Sequence, residues 1–142
     1  MQATTRRHPA GFTLIEIMLV VVIIGILMTV VVVKFSGRRE EAALNAAKAD
    51  IKNYGTALDL FELDNGFYPT TEQGLPALVA KPTASPEPTN WKGPYIQALR
   101  NDPWGDPYVY KFPGDHGPGT YDLSSFGPNK IAGDDDDISN WK

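Results

Sequence analysis

Cysteine is absent from all 142 residues, and histidine occurs only at His8 and His116. No disulfide can brace this chain and no thiol can serve as a nucleophile. A Ser-His-Asp site would have to be built on His116, in a Gly/Pro-rich turn, so the inventory argues against an enzyme. Positive charge is also short: 13 Lys and Arg stand against 17 Asp and Glu, a net charge of -4. Nucleic acid is bound by a clustered basic face, which is the opposite balance. No Lys, Arg or His interrupts Phe12–Val33, and no proline occurs from Lys34 to Asn65. A small secreted domain often leans on disulfides; without them the loops need another tie, and a metal ion is the first candidate.

What is present begins with a basic leader (Arg6, Arg7, His8) and an apolar run of 22 residues, Phe12–Val33. As a helix that run is about 33 Å long, enough for a bilayer core of ~30 Å. It is too long for a secretory signal peptide, and Val33-Lys34-Phe35-Ser36-Gly37 lacks the small-residue cleavage pattern. A plain membrane anchor fits the length, with Arg6 and Arg7 holding its front in the cytoplasm. It does not explain Glu16, one helical turn inside. A carboxylate at membrane depth costs a few kcal/mol unless it is paired or protonated. Glu16 is a tolerated polar residue near the interface, or it is protonated, or its partner comes from another chain.

Beyond Val33, helix formers continue (Ala42, Ala43, Ala46, Ala47, Ala49). Leu44, Ala47, Ile51, Tyr54, Leu58 and Phe61 recur at spacings of three and four, which predicts one apolar stripe. Asn65-Gly66 is a helix stop. The pattern predicts one helix from Phe12 to about Asn65, with Gly25 and Gly37 as its weak points. The remainder is turn-rich: a helical turn at Leu75–Val79, a stiff double turn at Asp102–Pro107, and two short strands at Tyr108–Phe112 and Tyr121–Ser124. Such a meander cannot stand alone and needs the stripe of the helix. Trp91, Trp104 and Trp141 read as core and turn anchors. Near the end, Asp134-Asp-Asp-Asp137 is either a solvated acidic tail or a set of oxygen ligands for a cation; it lacks the alternating pattern of an EF-hand.

The segment Gly11-Phe-Thr-Leu-Ile-Glu16 resembles the class III signal of type IV pilins and pseudopilins. Asp64-Asn-Gly-Phe-Tyr-Pro-Thr-Thr-Glu-Gln-Gly-Leu75, Trp91-Lys-Gly-Pro-Tyr95, Asp102-Pro-Trp-Gly-Asp-Pro-Tyr108, Tyr121-Asp-Leu-Ser-Ser-Phe-Gly127 and Asp137-Ile-Ser-Asn-Trp141 extend the resemblance. Together they are similar to the major pseudopilins of type II secretion, the general secretion pathway protein G family. Type IV major pilins usually carry a C-terminal cysteine pair and a proline in the first helix; neither is present.

The resemblance implies an α+β fold of the type IV pilin kind: a long N-terminal helix against a small antiparallel β-meander, with a C-terminal calcium loop. It implies a leader (1–11) cleaved between Gly11 and Phe12 by a prepilin peptidase, with N-methylation of Phe12. The mature chain then carries 11 basic and 17 acidic residues, a net charge of -6. A transmembrane and assembly helix (12–33), its amphipathic continuation (34–65) and a periplasmic head (66–142) follow. Glu16 would meet the amine of Phe12 on a neighbouring copy. A structural Ca²⁺ in the loop 126–137 would be held by the carbonyls of Phe126 and Asp134 and the side chains of Asn129, Asp136 and Asp137. Asn129 stands where the family usually has aspartate, so one charge is missing from that set. The implied role is a non-enzymatic subunit, anchored once in the bacterial inner membrane and polymerising into a helical periplasmic fibre that drives export of folded proteins. Its implied partners are minor pseudopilins, an inner-membrane platform with a cytoplasmic ATPase, and an outer-membrane secretin. The alternatives are a type IV pilin for adhesion or motility, and a non-polymerising anchored calcium-binding domain.

Overall fold

The computed structural model describes residues 11–142, with the side chains of 30–36 left undescribed. The expected leader, with Arg6, Arg7 and His8, lies outside the described residues. One helix, α1, spans Leu14–Asn65, two residues short of the expected start. Its large apolar side chains between Leu14 and Met28 are all exposed. Among the described residues no helix is long and apolar enough to cross a membrane; Val30–Val33, the end of the expected span, have side chains outside the described residues. A Cβ built at Gly25 or Gly37 would meet nothing within 4 Å, so neither glycine is required by close packing.

The chain divides after Arg39 into two units, of which the second is Glu40–Lys142. In the second, α1 presents the expected stripe: Ala47, Ile51, Tyr54, Leu58 and Phe61 are buried, joined by Ala57, with Leu44 partly covered. The helix stops as its residues require. Gly66 takes φ 81°, and its N–H reaches the Glu62 carbonyl at 2.7 Å. Asn65 Nδ2 closes a second orphan carbonyl, that of Phe61, at 2.9 Å. The apolar patch after the helix forms a 3-10 turn, Leu75–Leu78, with Leu75, Ala77 and Leu78 buried. Trp91 caps it by donating Nε1–H to the Ala77 carbonyl.

Three short strands follow, β1 (Val109–Lys111), β2 (Asp122–Ser125) and β3 (Ile138–Ser139), in an antiparallel sheet ordered β1-β2-β3. Tyr110 faces Leu123 across the first pair, and Ser125 faces Ile138 across the second. Only β1 and β2 were expected. β2 is buried at all four positions because it is the central strand, so its polar residues need internal partners.

Asp122 finds them in the loop before it. The main-chain N–H of Asp115 donates to its Oδ2 at 2.8 Å, and the His116 ring Nδ1 lies 2.8 Å from the same atom. The His116 ring in turn stacks on Trp141, centroids 4.0 Å apart. Asn140 ties the same tail to β2: its N–H reaches the Leu123 carbonyl and its Oδ1 accepts from Leu123 N. The chain end is thereby strapped over the sheet.

Two tests follow from this packing. Phe61 is fully buried, so Phe61→Ala is expected to cost ~3–5 kcal/mol in denaturant unfolding. Leu63→Ala, at a side chain 77% exposed, is expected to change stability by no more than ~0.5 kcal/mol. The second test concerns acid. Burial opposes ionisation of Asp122, but hydrogen bonds from the His116 ring and from the main chain of Asp115 and His116 outweigh it and hold its carboxyl below 3.8. A depressed carboxyl stabilises the fold above its unfolded value and loses that contribution as pH falls through its folded value. Asp122→Asn is therefore expected to lower the melting temperature near neutrality, with the gap to wild type closing as pH drops below 3.8.

Candidate functional site

Two regions carry the chemistry anticipated from the sequence, one at each end of the chain. At the front, Gly11 and Phe12 precede α1 in irregular backbone, and Phe12 is 80% exposed. The Gly11–Phe12 bond is thus free of helical hydrogen bonding. A Cβ at Gly11 would meet nothing within 4 Å, so the fold itself places no demand on glycine there.

Glu16 falls in the first turn of α1. Its Oε2 accepts from the main-chain N–H of Thr13 at 3.4 Å, while Thr13 Oγ1 accepts from Glu16 N–H at 3.3 Å. This reciprocal pair is a capping box, spelled in sequence as Thr-x-x-Glu before an apolar run. Charge counting had left Glu16 with no partner in its own helix. The structure supplies a hydrogen-bond donor at a long distance, and among the described residues no basic side chain pairs with Glu16.

At the other end lies the acidic loop. Among the described residues no three acidic or histidine side chains converge closely enough to hold a metal ion by themselves. Two do converge, through an amide: Asn129 Nδ2 donates to Asp134 Oδ2 at 2.7 Å and to Asp136 Oδ1 at 2.8 Å. Asn129 Oδ1 points elsewhere, accepting from Ile131 N–H at 2.7 Å. Asp136 is pushed up, chiefly by the neighbouring Asp134 carboxyl, while Asp134 is pulled down by that neighbour and by the Asn129 amide.

The other expected ligands are placed less directly. Asp137 Oδ2 accepts from Gly133 N–H at 2.7 Å. The Asp134 carbonyl is engaged by Lys142 Nζ at 2.8 Å. Phe126 enters through its neighbour: Gly127 has φ 69°, and a Cβ there would sit 2.6 Å from the Asp136 main-chain oxygen. Only glycine lets these two stretches of backbone approach so closely. Two oxygens, Asp134 Oδ1 and Asp137 Oδ1, are buried with no hydrogen-bond partner.

The loop is also held from beneath by residues that the search for ligands had not singled out. Asp102, 5% exposed, accepts from Trp104 N–H and Asp106 N–H through Oδ1 and from Ser125 Oγ–H at 2.6 Å through Oδ2. Ser125 Oγ in turn accepts from Gly127 N–H. Lys130, at φ 62°, pairs with Asp106 at 2.9 Å. The Asp-Pro-Trp-Gly-Asp-Pro turn is therefore the footing of the loop. Its sequence signal was the turn itself; its downward connection to the loop had none.

Comparison with known proteins covers both ends. The family described as type II secretion system (T2SS), protein G matches residues 34–141, and the prokaryotic N-terminal methylation motif matches residues 6–32. The chain is 51% identical over 140 residues to the type II secretion system core protein G of Pseudomonas aeruginosa, covering 96% of this chain and 97% of that protein. It is 49% identical over 142 residues to the core protein G of Escherichia coli K12, covering 99% and 95%. The crystal structure of the major pseudopilin from the type 2 secretion system of enterohaemorrhagic E. coli superposes with a TM-score of 0.66. That match has 42% identity over 75% of this chain and 92% of that one. With a head profile that fills its second unit, a methylation motif across its apolar start and a pilin-type helix and sheet, the chain belongs to the type II secretion system protein G family of pseudopilins.

Proposed function

We propose that this chain, a pseudopilin of type II secretion, is the major structural subunit of the pseudopilus and works without catalysing a reaction. The observation that carries the reading is the order of parts on one chain: a methylation motif over residues 6–32 followed directly by the protein G head over 34–141. The precursor inserts in the bacterial inner membrane through residues 12–33, with its head in the periplasm. A prepilin peptidase cuts between Gly11 and Phe12 and methylates Phe12. Copies then polymerise through their apolar helices into a short fibre that drives folded proteins across the outer membrane. Minor pseudopilins, the inner-membrane platform and the outer-membrane secretin are its partners in this reading.

Within the fibre, the Phe12 amine of one copy sets the axial register by meeting Glu16 of the next. The capping box supports this role. It directs the carboxylate of Glu16 toward the helix start, and the cost of leaving that charge unpaired in a low-dielectric core makes its contact selective.

The second part of the proposal is a structural Ca²⁺ in the acidic loop. The buried, unpartnered Asp134 Oδ1 and Asp137 Oδ1, and the convergence of Asp134 and Asp136 on Asn129, fit an oxygen-seeking cation. Asp134, Asp136 and Asp137 and the main-chain oxygens of Phe126 and Asp134 would hold it, and Asn129 would join them through its amide oxygen only once its amide nitrogen has left the carboxylates. When bound, the ion neutralises the adjacent carboxylates and ties the loop by mass action.

The intact mass of protein from its native membrane tests processing: a start at Phe12 with one added methyl group is expected, and an uncut chain in cells with active peptidase would overturn it. Glu16→Ala is expected to leave insertion and head folding intact and to abolish fibre formation and secretion. An alanine variant that assembled normally would remove Glu16 from the register. For the ion, Asp136→Ala combined with Asp137→Ala is expected to lower the melting temperature in Ca²⁺ and to abolish the response to chelator. An undiminished chelator response would remove the site.

A further inference from the structure

Asn129 does something in this loop that a ligand oxygen would not do. Its amide nitrogen, not its oxygen, faces the carboxylates of Asp134 and Asp136, at 2.7 and 2.8 Å. Its oxygen is committed to Ile131 N–H, in a turn that fixes which way the amide faces. One donor group thus sits between two carboxylates, where a bridging cation would otherwise neutralise them. Lys142 Nζ adds a second donor on the Asp134 carbonyl.

We propose that Asn129 is a built-in stand-in for the cation: its amide closes the acidic loop when no metal is bound and must give way when one enters. The proposal rests on the calcium reading of this loop. The loop stays ordered in metal-poor conditions, and its affinity for the ion is lowered because binding first has to break two hydrogen bonds. An aspartate at this position would reverse both properties. It keeps the oxygen that accepts from Ile131, removes the Asn129 donor between the carboxylates, and adds a charge to the ligand set.

The experiment uses the full chain in detergent micelles above pH 7, followed by near-ultraviolet circular dichroism melting and calcium titration calorimetry. Wild type, Asn129→Asp and Asn129→Ala are compared in chelator and in Ca²⁺. In chelator, both variants are expected to melt several degrees below wild type. In Ca²⁺, Asn129→Asp is expected to regain the loss and to bind the ion about tenfold more tightly than wild type, while Asn129→Ala regains less. An Asn129→Asp protein that melts at the wild-type temperature in chelator overturns the proposal, whatever calcium does. If neither wild type nor Asn129→Asp responds to Ca²⁺, the calcium reading is overturned instead; lower melting of Asn129→Asp in chelator then upholds the bridge as the standing closure of the loop.

Discussion

The head of this protein depends on one stripe of a helix. Its sheet consists of strands of three, four and two residues, far too little to hold together on its own hydrogen bonds. What it lacks in area is made up by burying Tyr108, Tyr110, Tyr121, Leu123 and Ile138 with Ile51, Tyr54, Leu58 and Phe61 of α1. The aromatic residues do more than fill space. Tyr54 packs edge-on to Tyr108, and Phe61 meets both Phe67 and Tyr95. Their hydroxyls then reach main chain, as with Tyr110 to the Pro69 carbonyl and Tyr54 with Arg100. Tyr54 and Tyr110 thus join apolar burial to the fastening of a loop, which suits a domain that is mostly loop.

With no cysteine, the C-terminal third is held by charge and hydrogen bonds. Asp102 is the centre of that arrangement. A buried carboxylate is costly unless its oxygens are satisfied, and here three donors from the turn and from β2 satisfy them. The same Ser125 hydroxyl passes the connection on to Gly127, where the acidic loop begins. Asp106 and Lys130 make a second tie, and the Asn140 and Trp141 strap a third. The loop is therefore anchored at its entry, middle and exit before any ion is considered.

Much of this was legible in the sequence, for definite physical reasons. The helix stripe and its stop at Asn65-Gly66 depend on local periodicity and on one left-handed glycine, both written in neighbouring residues. The first two strands and the turn at Asp102–Pro107 were legible on the same ground. The third strand was not: two residues, Ile138 and Ser139, carry no pattern of their own, and they pair only because β2 leaves an open edge. Glu16 shows a different failure. The Thr-x-x-Glu signature of a capping box was present, but counting charges drew attention to the missing cation and away from the backbone donor at Thr13. In the acidic loop, position suggested the ligands, yet no sequence rule shows that the Asn129 amide folds back between the carboxylates of Asp134 and Asp136.

The two ends of the chain meet the same electrostatic problem with the same device. Glu16 is a carboxylate in an apolar run; Asp134 and Asp136 are carboxylates crowded together. In both places an uncharged N–H donor from nearby in the sequence, Thr13 or Asn129, makes a partial match. A neutral donor lowers the cost of such a group, but it leaves the charge unbalanced. In the function proposed above, that unbalanced charge is what each position would offer to a cationic partner that arrives later, an amine at one end and a metal ion at the other. Full compensation within the chain would stabilise the lone subunit more and leave nothing for assembly to gain.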